Sequence, residues 1–180
     1  TGVILAADGR GLAPARAVEG AVATMVQPAA PAAACLAAHG ASACTDVTGF
    51  GLLGHLLEML RASDRDAELD PDAIPALEGA LWLLSRGITS SLHSDNLAAL
   101  ARLEPGEAHP IAALLIDPQT AGGLLAGVPA ARAAACLAKL RRRGYRAAVI
   151  GRILRASGRE PRVRLEPGAA ELVPEPVTAG

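Results

Sequence analysis

Residues 45–55 read TDVTGFGLLGH and place Gly49, Gly51 and Gly54 in the spacing G-x-G-x-x-G. That spacing suits a phosphate-binding turn, because glycines let the backbone approach a pyrophosphate and a following helix directs free N–H groups at the anion. Asp46 stands three residues before the first glycine, where a dinucleotide fold wants an apolar strand. A carboxylate beside a pyrophosphate is repulsive without a cation between them, so the dinucleotide reading fits poorly, although Glu68 or Asp70 lies near the distance of a ribose-binding acid. A second chemistry uses the acid. Asp46 at the end of a strand and a phosphate chain share Mg²⁺, Thr45 and Thr48 add hydroxyl donors, and Gly49 and Gly51 let the backbone pass close to the ligand. The plainer alternative is that Asp46 or Thr48 caps the helix and the glycines serve packing.

Other residues carry weaker signals. Asp117 precedes Pro118 in DPQTAGG, so its backbone is extended. Its carboxylate either closes a local turn or lines a cleft loop that Gly122 and Gly123 open to another backbone. Ser90, Ser91 and Asn96, in the polar segment ITSSLHSDN, could together line a binding surface, with His93 exposed among them. His55 reads as a helix-packing histidine or a phosphate neighbour, and His39 and His109 as loop residues. Together the four histidines lack the spacing of a metal cluster. Cys35, Cys44 and Cys136 are odd in number and far apart, with no C-x-x-C, so they read as small buried residues in a reduced compartment. Neither a P-loop nor a G-x-S-x-G motif is present.

The elements that must position these groups alternate. GVILAA at 2–7 predicts a short buried strand, 14–26 and 29–39 predict helices, and 41–47 predicts a strand that TGFG turns into a helix at 51–62. Strand 66–70, a helix at 75–86 stopped by Gly87, and a short helix at 97–103 follow. The apolar run Ile111–Ile116 reads as a strand, broken by DPQTAGG, after which LLAGV is extended. Helix 129–143, strand 145–153 and a strand at 162–165 complete the chain, which is thus α/β or α+β, a mixed β-sheet flanked by helices.

At 180 residues the chain suits one domain, and its apolar residues are almost all aliphatic, with a single Trp, Tyr and Phe. Lys and Arg number 17 against 18 acids, which gives none of the basic footprint of a nucleic-acid binder. The basic run KLRRRGYR at 139–146 reads as the solvated end of a helix. No signal-peptide pattern or membrane-spanning run is evident, so a cytoplasmic location is expected.

ACTDVTGFGLLGHLLEM at 43–59 closely resembles the signature of the selenophosphate synthetases (selenide, water dikinases), in their C-terminal domain. GALWLLSRGITSSLHSDN at 79–96 and DPQTAGGLLAGV at 117–128 are similar to further family segments in the same order, with Ala121 where serine is usual. The resemblance covers residues 1–153, leaving 154–180 as an extension that packs on the domain or trails from it. It implies the C-terminal fold of the aminoimidazole ribonucleotide synthetase superfamily. It also implies a place in an ATP-dependent kinase that makes selenophosphate, AMP and phosphate from ATP, selenide and water. On that resemblance Asp46 helps hold Mg²⁺ on ATP; Thr45, Thr48, Gly49, Gly51 and Asp117 are the phosphate-side cleft wall expected from the residues themselves. The family's nucleophile and most nucleotide contacts belong to an N-terminal ATP-binding domain absent here, so no catalytic residue is assigned and the isolated chain is expected to be inactive. That domain and small-molecule substrates are the expected partners, with a homodimer at full length and neither nucleic acid nor membrane. A non-catalytic nucleotide-binding module, a purely structural domain and a related enzyme such as a thiamine-phosphate kinase are the alternatives.

Overall fold

A helix opens the chain where a strand was expected. In the computed structural model, which describes residues 1–158 and 160–171, GVILAA forms α1 (Gly2–Asp8). A short apolar run cannot declare its period. Here the partners decide: the amide of Gly2 donates to the Pro118 carbonyl and that of Val3 to the Asp117 carboxylate, which satisfies the first turn of a helix. α2 (Ala15–Met25) and α3 (Ala30–Ala38) follow as expected. β1 (Ala43–Asp46) then leads through the glycine turn into α4 (Gly51–Ser63).

α4 organises the molecule. Leu53, Leu56, Leu57 and Leu60 recur at helical spacing and are all buried. Each contributes about 1.5–3 kcal/mol through burial. The helix ends at Asp64, whose φ of 52° is left-handed. β2 (Arg65–Leu69) comes directly after it. α5 (Ala80–Ser85) is shorter than the expected 75–86, because residues before it form turns and Gly79 enters with φ 82°. α6 (His93–Asn96) runs into a 3₁₀ turn over Leu97–Arg102 and the two-residue β3 (Leu103–Glu104).

The run Ile111–Ile116 is also helical, as α7 (Ala112–Leu115), rather than a strand. Ile111, Ala112, Leu115 and Ile116 are buried together, and the Ile111 amide donates to His109 Nδ1 at 3.2 Å. β4 (Leu124–Gly127), α8 (Ala130–Arg142), β5 (Gly151–Arg155) and β6 (Val163–Leu165) complete the described elements. The strand expected over 145–153 begins only at Gly151. Lys139, Arg141 and Arg142 occupy the last turn of α8, where cations complement the helix dipole.

The strands divide between two sheets. β1 and β4 form an antiparallel ribbon, with Asp46 opposite Leu124. The four-stranded sheet has the order β3-β6-β2-β5, antiparallel between β2 and β5 and parallel elsewhere. The α/β class is therefore present, with the mixed sheet covered by the leucine face of α4. Two smaller cores lie beside it. One joins α1, α2 and α5, and the other joins α3 and α8 to the ribbon.

β6 belongs to the sheet, and Val163 and Ala169 are buried, so residues 160–171 pack on the domain. Arg159 and 172–180 of the expected extension lie outside the described residues. Cys35 and Cys136 are buried, but Cys44 is exposed, because it falls on the outward face of β1. Among the described residues no single helix is long and apolar enough to cross a membrane, and the apolar pair α2–α3 is bent by 60° at its break.

Candidate functional site

The glycine turn is held by three neighbouring segments. The Val47 amide donates to the Gly123 carbonyl, and the Gln119 and Gly51 amides both donate to the Thr48 carbonyl. Asn96, buried on α6, donates its amide to the carbonyls of Gly49 at 2.8 Å and Ile116 at 3.0 Å. One side chain thus fastens the turn to α7.

The glycines answer to this packing. At Gly51, with φ 68°, an added Cβ would stand 2.8 Å from backbone atoms of Leu115 and Ile116. At Gly122 it would stand 2.1 Å from the Val47 carbonyl oxygen. Gly49 is different, since its space is open except for Leu92 at 3.7 Å. Within the G-x-G-x-x-G spacing Gly51 is thus a close fit against the other loop, Gly54 clears the side chain of Phe50, both as the packing alternative has it, and Gly49 alone keeps an open approach.

The capping alternative does not hold. Phe50 occupies the N-cap of α4, with no side-chain cap bond and no acid in the first turn. Thr48 turns its hydroxyl to His55 Nε2, 3.0 Å away. Thr45 donates to its neighbour's carbonyl, that of Asp46, at 3.2 Å. Both hydroxyls expected to face a ligand are thus engaged inside the chain. Asp46 is exposed at the end of β1, and among the described residues its carboxylate forms neither a side-chain hydrogen bond nor an ion pair. An exposed, unpaired carboxylate beside an uncapped 13-residue helix is the combination that a hard cation and a phosphate can complete.

Asp117 departs from the cleft-wall expectation. Its side chain is fully buried, and one carboxylate oxygen accepts from the Val3 amide at 3.2 Å and from Gln119 Nε2 at 3.1 Å. It caps α1 and fixes its own loop. Burial pushes its carboxyl up from the usual range, against the bonds from Val3 and Gln119. The other oxygen is buried without a partner, as are Ser90 Oγ and His93 Nδ1. Asn96 and Ser90 Oγ are buried and only Ser91 is exposed, so the three do not present the expected joint surface.

His55 is a packing histidine with a polar task. It is buried, its ring lies 5.5 Å from that of Phe50, and its Nδ1 is 3.4 Å from Glu58 Oε2 without hydrogen-bond alignment. The brace formed by Asn96 escaped sequence reasoning, since a polar residue at the end of a polar loop gives no sign of being buried. A shallow depression of about 190 Å³ is lined by Phe50, Gly54, Glu58, Asp95, Asn96 and Ala99. Two acids in it disfavour an anion, and neither Asp46 nor Thr48 contributes.

An α/β domain with a glycine turn between a strand and an uncapped helix is the class that the fold defines. Residues 5–164 match the family described as AIR synthase related protein, C-terminal domain, and the chain belongs to that family. It is 38% identical over 126 residues to a selenide, water dikinase of Cronobacter sakazakii, an alignment covering 70% of this chain and 36% of that protein. With a protein of the same name from Myxococcus xanthus it shares 43% identity over 115 residues, covering 62% of this chain and 33% of the relative. With one from Agathobacter rectalis it shares 37% over 160 residues, 86% and 46% respectively. These matches support the selenophosphate synthetase resemblance. The chain spans between a third and a half of the length of these relatives.

Proposed function

We propose that this chain is the C-terminal domain of an ATP-dependent selenide, water dikinase and supplies one wall of a composite phosphate site. The reaction would convert ATP, selenide and water to selenophosphate, AMP and phosphate. The observation that carries the reading is the unpaired Asp46 next to the uncapped start of α4. Asp46 would hold Mg²⁺ together with phosphate oxygens, and the ion would supply neutralising charge there. The backbone of 48–51, with the open side of Gly49, would form the wall. Thr45 and Thr48 would act by holding that backbone, given where their hydroxyls bond. Asp117 would support the wall from behind.

The nucleophile and most nucleotide contacts would come from an N-terminal ATP-binding domain, and the chain alone would not turn over. A cytoplasmic location and a homodimer of the full-length enzyme belong to the same proposal. Calorimetric titration with ATP in Mg²⁺ tests it on this chain and on Asp46→Ala. Weak binding that the substitution abolishes is expected, with selenide-dependent AMP formation appearing only when an N-terminal domain is added. Tight binding indifferent to Asp46 would mean that the turn is a complete nucleotide site and that the reading is wrong.

A further inference from the structure

The fold brings together three ligand-type residues that the sequence keeps apart. Cys35 and His39 stand one helical turn apart at the end of α3, and Cys136 faces them from α8. The two sulfurs and a ring nitrogen of His39 all lie within 4.8 Å of one another. Cys35 Sγ is 3.8 Å from His39 Nδ1. A tetrahedral zinc-class ion, with metal–sulfur bonds of about 2.3 Å and metal–nitrogen bonds of about 2.0 Å, sets its ligand atoms roughly 3.5–3.8 Å apart. The Cys35–His39 pair already has that spacing, and no separation in the cluster exceeds 4.8 Å. Its sulfurs are buried and its imidazole is half-buried at the rim.

We propose that Cys35, His39 and Cys136 form a binding site for a soft divalent ion of the zinc class, with a fourth position open on the His39 side for water. This site is separate from the glycine turn and does not rest on the dikinase reading. Two thiolates and one imidazole are soft and borderline donors that select zinc-like ions over magnesium. Binding would release the two thiol protons to solvent and form two metal–sulfur bonds and one metal–nitrogen bond. His39 Nδ1 lies 2.7 Å from the Cys35 carbonyl, a contact that a metal at that nitrogen would replace. The site would clamp α3 to α8 and so tie together the small core beside the ribbon.

Cobalt(II) is the probe, added to the reduced, metal-free chain. A thiolate-to-cobalt charge-transfer band and the visible bands of a tetrahedral ion are expected, saturating at one ion per chain and displaced by Zn²⁺. Cys136→Ser should cut the charge-transfer intensity to about half or less and weaken binding, since one of two thiolates is lost. His39→Ala, at a half-buried position at the end of α3, should weaken binding by at least about tenfold, the scale of losing even a supporting partner, in a chain shown to be folded by circular dichroism. Cys44→Ser should change nothing. The proposal is overturned if the folded, reduced chain gives no such band, if the band follows Cys44, or if His39→Ala leaves affinity unchanged.

Discussion

Replacing Asn96 by alanine tests how the glycine turn is held. Asn96 is 8% exposed and donates to two carbonyls, those of Gly49 at 2.8 Å and Ile116 at 3.0 Å. Alanine removes both bonds and strands two acceptors next to the core. Each bond contributes about 0.5–1.5 kcal/mol net, and a stranded buried group costs about 1–3 kcal/mol. Partial access of water to the turn limits the second term, so the expected loss is about 2–4 kcal/mol. For a chain of this size that lowers the thermal midpoint by roughly 4–16 °C. Urea denaturation of the wild-type chain, Asn96→Ala and Asn96→Asp measures it. Aspartate should be the worse of the two, because a carboxylate would then face two carbonyl oxygens. A loss below about 0.5 kcal/mol for alanine, or an aspartate variant more stable than the alanine one, would refute the brace.

Two further substitutions test the neighbouring contacts. Gly122→Ala should destabilise by about 1–3 kcal/mol, since its Cβ would meet the Val47 carbonyl at 2.1 Å, whereas Gly123→Ala, with nothing within 4 Å, should stay within about 0.5 kcal/mol; equal effects on the urea midpoint would refute the fit. Asp66 is buried and accepts from the Ser157 amide and hydroxyl and the Arg162 amide. Burial raises its pKa, but these bonds and the Arg162 charge outweigh that and leave the carboxyl below its usual range. Its contribution is therefore present above the unfolded value, near pH 4, and lost as pH falls through the lower folded value. Asp66→Asn should be less stable at pH 7 and should lose less on acidification, as read by urea midpoints from pH 7 to pH 3. A parallel pair of curves would contradict this.

The long helices were legible because their period is. The leucines of α4 and the Pro-to-Gly frame of α8 specify them locally. The strands β1, β2, β4 and β6 carried turn signals on their flanks. α1 and α7 were not legible, since each is a short run buried around most of its circumference. The cap that makes α1 a helix comes from Asp117, 114 residues from Val3 in the chain. The same distance explains the site. Asp46 and the glycines stood out by type and spacing, whereas Asn96 and the face-to-face placement of Cys35, His39 and Cys136 exist only after folding. Asp117 reads equally as a local turn-former or a cleft acid, and nothing near it in the sequence shows its actual use. That use is a helix elsewhere.

The glycine turn and the DPQTAGG loop interlock at Val47, Thr48 and Gly51 on one side and at residues 115–123 on the other. Neither can be transplanted alone. A chimera that takes residues 43–59 from one relative and 117–128 from another would have to match carbonyl to missing Cβ at both Gly51 and Gly122. Exchange between homologues should succeed when the two segments travel with residue 96, and fail when they are split. The unit on which recombination or design can act is thus a three-segment knot rather than a motif.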